Sequence, residues 1–117
     1  MMTTYYHGTN GELDLHSGLC LTPSAESAAH YGDTVYAIEI DTDSLRVDRL
    51  YFTDEEMRTM LDDQEFPADD DSEREQMIAD GIDCIIYADS DPHGHDHDTL
   101  RVLSPAAIAA CRVVEIA

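Results

Sequence analysis

Twenty-six acidic residues against six basic ones give this 117-residue chain a formal net charge of -20. The six bases are all arginines: Arg46, Arg49, Arg58, Arg74, Arg101 and Arg112. An unpaired buried carboxylate is costly, so acid-rich segments are held at the surface. Few stretches are then left to build a core. The 43% apolar content suffices for one modest core, and residues 1–117 read as one domain. The same charge repels nucleic acid and anionic membranes and favours partners with a basic surface. Two origins of the acidity stay open: a generally acidic or halophilic proteome, and mimicry of nucleic acid or docking onto a basic protein. The excess is spread along the chain instead of sitting in one block.

The stretches that can form a core read as strands. Residues 3–7 are rich in Tyr and Thr, Leu19-Cys20-Leu21 is a brief extended piece, and Val35-Tyr36-Ala37-Ile38-Glu39-Ile40 half alternates. A short strand is expected within residues 45–51. Ile82-Asp83-Cys84-Ile85-Ile86-Tyr87-Ala88 is the strongest core strand, followed by Leu100-Arg101-Val102-Leu103 and a last strand over residues 111–116. Helices are fewer. Thr22 as N-cap, Pro23 at the first position and Gly32 as terminator frame one over residues 24–31. Thr53 caps a second, with acids in its first turn and its end near Leu61. A third covers residues 73–79. Residues 64–72 and 89–98 read as acidic loops, and Ser104-Pro105 as a turn. The pattern is α+β.

No stretch reaches the roughly 18 apolar residues of a membrane span, and the start lacks a signal pattern, so a cytoplasmic protein is expected. Cys20, Cys84 and Cys111 are odd in number and show no paired spacing, which suits buried, reduced thiols.

Several polar residues stand where chemistry is plausible. Tyr6-His7-Gly8-Thr9 ends the first strand. Gly18-Leu19-Cys20-Leu21-Thr22-Pro23 follows, then a small-residue helix ending Ala28-Ala29-His30-Tyr31-Gly32. Toward the other end come Asp80-Gly81-Ile82-Asp83, a polar loop, and Leu-Arg-Val-Leu-Ser-Pro. This series resembles ADP-ribosyltransferases of the diphtheria-toxin and poly-ADP-ribose-polymerase branch, across nearly the whole chain except about residues 50–79. The resemblance implies a split β-sandwich with short helices, and NAD in a cleft. His7 then matches the histidine that bonds the adenosine-side ribose. Gly8 matches the glycine whose backbone holds the nicotinamide carboxamide, with Thr9 lining the same pocket. Tyr31 matches the tyrosine that stacks on nicotinamide. The acid that stabilises the developing positive charge falls on Asp98, with Asp96 and Asp89 as alternatives. Cys20 stands where the family has a tyrosine, and Ala28 where it has a serine.

The implied activity is transfer of ADP-ribose from NAD to a host protein. One context for so compact a member is a phage-encoded inhibitor of host defence such as CRISPR; a toxin of a toxin–antitoxin pair is another. The alternative is a non-enzymatic acidic binder on the same scaffold, a nucleic-acid mimic of the anti-CRISPR type. The tract His93, His95, His97 with Asp96 and Asp98 has the alternation to hold Zn²⁺ or Ni²⁺, but no second cluster supplies more ligands and no metal is expected.

Overall fold

The acid-poor stretches become the strands of two sheets in a computed structural model that describes residues 2–90 and 96–116. The first is a three-stranded antiparallel sheet: β1 (Met2–Thr9), β3 (Thr34–Asp41) and β7 (Cys111–Ile116), with β3 in the middle. The second has four strands in the order β2 (Leu19–Leu21), β6 (Asp96–Val102), β5 (Cys84–Ser90) and β4 (Val47–Arg49). Its β4–β5 pair is parallel, so residues 50–83 must form a crossover. They do so with helices α2 (Asp54–Asp63) and α3 (Asp71–Ala79). Two short helices, α1 (Ala25–Ala29) and α4 (Pro105–Ala110), complete an α+β architecture.

Strand alternation divides the four-stranded sheet into two faces. On one, Leu19, Leu21, Cys84, Leu100 and Val102 pack against Ile38 and Ile40 of β3, and all are buried. On the other, Ile85 and Tyr87 pack beneath the crossover with Ala68 and Leu103. Helix α2 is amphipathic, with Met57, Met60 and Leu61 partly buried beside exposed acids, whereas α3 contributes only the adjacent pair Met77 and Ile78 at its end. Thr53 and Glu56 form a complete capping box at the start of α2.

Four local expectations change. Helix α1 is capped by Ser24, not Thr22, because the Thr22 backbone exchanges two hydrogen bonds with Tyr6 and so belongs to the sheet. Residues 64–72 are not simply a loop. Asp70 caps α3 from Asp71, and Ala68 ahead of it is fully buried. Ser104-Pro105 opens a helix instead of a turn: the Ser104 hydroxyl accepts from the Ala107 N–H at 3.1 Å, and Pro105 suits the first position. The strand expected from Leu100 begins at Asp96, since β5 offers pairing partners up to Ser90.

Helix α1 and the turn after it lie directly on the β1 backbone. A Cβ on Gly8 would stand 1.8 Å from the Ala28 carbonyl oxygen, and one on Gly32 would stand 2.3 Å from the Thr9 carbonyl carbon. The obstructing atoms are main chain and cannot rotate away. Gly32→Ala should therefore cost about 2–3 kcal/mol and lower Tm by roughly 10 °C in a thermal melt.

Burial also sets an alkaline limit. It pushes the Cys84 thiol up to about 12, and raises the Tyr87 phenol as well. An unfolded thiol releases its proton near about 8.5. Between those values the unfolded chain binds fewer protons than the native one, so stability falls as pH rises. Urea midpoints should hold below about pH 8.5 and decline above it, with a shallower decline in Cys84→Ala.

Candidate functional site

A cavity of about 830 Å³ opens on the crossover side of the four-stranded sheet, within the size range of small-molecule and cofactor sites. Its floor is made of sheet residues: Cys20 from β2, Thr99 and Arg101 from β6, Tyr87 and Asp89 from β5. His7, Gly8, Thr22 and Tyr31 close one end, while Leu61, Gln64, Phe66 and Asp69 of the crossover form the facing wall.

His7 reaches the cavity at the open end of β1. Its Nδ1 lies 2.8 Å from the Cys20 carbonyl oxygen. A carbonyl only accepts, so Nδ1 carries the proton in this bond and a neutral ring keeps an acceptor lone pair on Nε2. Gly8 contributes main chain. Tyr6 spends its N–H and C=O on Thr22 at 2.7 and 2.8 Å, on the side of β1 away from β3. The β1–β3 register runs without a shift from Met2 to Thr9, so two residues on, Gly8 directs its N–H and C=O to that same side, where the cavity lies. Thr9 does not line the cavity; its hydroxyl accepts from the Gly11 N–H at 3.1 Å. Ala28 is buried against Gly8.

Tyr31 stands at the cavity mouth, 40% exposed, because the close seat of α1 on Gly8 carries it there. It meets His97 edge-on, with ring centroids 5.8 Å apart and planes at 90°. Its hydroxyl lies 2.7 Å from His97 Nε2. His97 Nδ1 is 3.0 Å from the Asp98 carbonyl oxygen, which again places the proton on Nδ1 and leaves Nε2 to accept from Tyr31.

The three acid candidates separate by strand parity. Because β6 starts at Asp96, its odd-numbered residues His97, Thr99 and Arg101 face the cavity. Asp98 takes the opposite face and forms a two-pronged pair with Arg49 at 2.9 and 3.2 Å. Asp96 shares that parity and is not part of this cavity. Asp89, paired directly across from His97, does line it, and its Oδ2 accepts from the Thr99 hydroxyl at 3.4 Å. Of the histidine tract only His97 is reached here; His93 and His95 lie outside the described residues.

Cys20 leaves room that another ring enters. Tyr87, two strands away, is 1% exposed and shares the cavity floor with Cys20. Burial pushes the Cys20 thiol up, with Arg101 and Tyr87 offsetting only part of the rise, so the group is a protonated packing thiol and not a nucleophile. Arg101 is 9% exposed and fully engaged on two sides. Its Nε donates to the Gly18 carbonyl at 2.8 Å, and Nη1 donates to the Pro67 carbonyl at 2.7 Å and to Asp69 Oδ1 at 2.6 Å. Arg74 adds bonds to the Ala68 and Asp69 carbonyls at 2.8 and 2.9 Å. Here Ala68 and Gln64 hold positive φ angles of 67° and 54°.

Sequence reasoning missed Tyr87, Thr99, Arg101 and His97 as cavity residues. One signal was available for Arg101, a lone cation inside the apolar run Leu-Arg-Val-Leu, which must find partners when buried. Arg101→Met removes that charge and strands Asp69 and two carbonyls. It should cost about 3 kcal/mol in urea unfolding, whereas Asp69→Asn, which keeps an oxygen for Nη1, should cost less.

No protein-family model matches the chain, and no curated protein matches its sequence. Among solved structures it is similar to a crystal structure of an anti-CRISPR protein, at 18% sequence identity, with 97% of this chain and 94% of that one covered and a TM-score of 0.49. A likeness of that degree assigns neither a ligand nor a partner.

Proposed function

We propose that the cavity binds NAD, and that the chain is an ADP-ribosyltransferase-like domain transferring ADP-ribose to a protein target with a basic surface. The observation that carries the reading is the convergence of His7, the outward backbone edge of Gly8, Tyr31 and Asp89 on one cavity of about 830 Å³. Each offers what a part of NAD needs. The His7 Nε2 lone pair accepts from a ribose hydroxyl. The Gly8 N–H and C=O match the paired acceptor and donor of a carboxamide, and the Tyr31 ring supplies a stacking face. Bound NAD supplies an electrophilic ribose carbon with nicotinamide as leaving group. Asp89 sets a carboxylate in the cavity where positive charge at that carbon is stabilised, the kind of preorganised electrostatics that carries most catalysis.

A second reading rests on a different observation. Residues 54–80, which wrap the outside of the cavity, hold twelve acids against Arg58 and Arg74. In this reading the crossover docks on a basic protein site and the domain inhibits without chemistry. Salt separates the two, since a purely electrostatic complex weakens steeply between about 50 and 200 mM salt, whereas covalent modification persists and requires NAD.

Incubation with labelled NAD and basic candidate proteins should yield a target heavier by one ADP-ribose, detected by mass spectrometry, and NAD should raise Tm. Asp89→Asn should lower transfer about 10²–10³-fold while keeping the Tm shift. No Tm shift, no released nicotinamide and no modified protein would together refute the enzyme reading.

A further inference from the structure

Resting on the NAD reading, we infer that His97 is the general base of this site, and that Tyr31 keeps its lone pair occupied until a ring enters the cavity. Asp89 and His97 are direct cross-strand partners in β5 and β6, so their side chains project from the same face of the sheet into the same cavity. Asp89 is the group that faces positive charge. His97 beside it is the group able to receive a proton.

Its protonation geometry is already fixed. The Asp98 carbonyl takes the Nδ1 proton at 3.0 Å, with the Thr99 hydroxyl 3.4 Å away, so a neutral His97 carries its free pair on Nε2. The Tyr31 hydroxyl holds that nitrogen at 2.7 Å with its ring at 90° to the imidazole. Turning to stack on nicotinamide takes the hydroxyl away from Nε2. One side chain therefore couples occupancy of the cavity to exposure of the base.

The chemistry balances without a further reagent. The nucleophile's oxygen or nitrogen bonds to the ribose C1 carbon, and the C1–nitrogen bond to nicotinamide breaks with its electron pair leaving on nicotinamide. The nucleophile's proton passes to His97 Nε2. Water serves as nucleophile in the same way, so NAD alone is a sufficient probe.

Two measurements test this. In ¹⁵N NMR of the protein, the His97 Nε2 resonance should shift to that of an unbonded acceptor nitrogen when NAD is added. In Tyr31→Phe it should already sit there without NAD. Nicotinamide release from NAD should fall about 10²–10⁴-fold in His97→Ala, with the NAD-induced Tm shift retained, and added imidazole should restore part of it. If NAD raises Tm but His97→Ala releases nicotinamide within threefold of native, or native protein releases none, the base assignment is wrong and the binding site stands. If NAD neither raises Tm nor is cleaved, the NAD reading and this inference fall together.

Discussion

The guanidinium of Arg101 is the interaction on which the cavity depends. In a chain whose charge is overwhelmingly negative, the ion placed inside is a cation that cannot be neutralised by losing a proton. Its bonds reach the start of β2 through Gly18, and the α2–α3 connector through Pro67 and Asp69. The Arg74 bonds tie the connector to α3, within the crossover, and Ala68 adds apolar packing on Ile85, Tyr87 and Leu103 of the sheet side. The left-handed backbone at Ala68 sits among these bonds, its carbonyl accepting from Arg74 and its N–H donating to Glu73, while that at Gln64 closes the end of α2. The wall of the site is thus fixed by one buried charge, and the cavity is what remains between that wall and the sheet.

The crossover explains why the acidic middle of the chain exists at all. A parallel β4–β5 pair cannot be joined by a tight turn, so some thirty residues must travel over one face of the sheet. Phe66, Met77 and Ile78 supply packing from this segment, Leu61 lines the cavity, and exposed acids cover the rest. Structure and surface charge come from the same segment. That is why both functional readings converge on it, one using the wall as a pocket lining and the other using its exterior as a docking face.

Much of this architecture is legible in the sequence because it depends on local chemistry. The strands around Ile38, Ile85 and Val102 stand out as β-rich runs, and Thr53 with Glu56 announces α2. What is not legible depends on partners far away in the chain. Helix α4 is six residues of mostly alanine whose start looks like any Ser-Pro turn. The burial of Ala68 comes from Ile85, Tyr87 and Leu103, which no local pattern connects to it. Parity is the sharpest case. Beginning β6 at Asp96 with His97 opposite Asp89 sends Asp98 toward Arg49 and His97 into the cavity. A shift of one residue would exchange them. Sequence alone leaves Asp98, Asp96 and Asp89 as neighbours of one loop, and strand pairing decides that, of the three, Asp89 faces the cavity. Cys20 shows the converse: a residue that looks like a loss from the expected pattern leaves space for Tyr87, so the floor keeps an aromatic ring from another strand.

The local potential sets a further condition on any ligand. NAD carries two phosphates, and a surface of this sign opposes their approach over the range of a Debye length. The cation lining the cavity, Arg101, already shares its charge with Asp69. Attraction between opposite charges would therefore do little to draw NAD in, and the affinity proposed for it would have to come from shape, stacking and directional bonds to His7 and Gly8. These are short-range contacts made only once the ligand is seated, in a cavity screened from the outer acids by the crossover itself. Added salt weakens the repulsion that opposes entry, while it weakens the attraction that would seat a basic protein on residues 54–80. The two proposed ligands, NAD and a basic protein, would respond to ionic strength in opposite directions, because one would bind in spite of the charge and the other because of it.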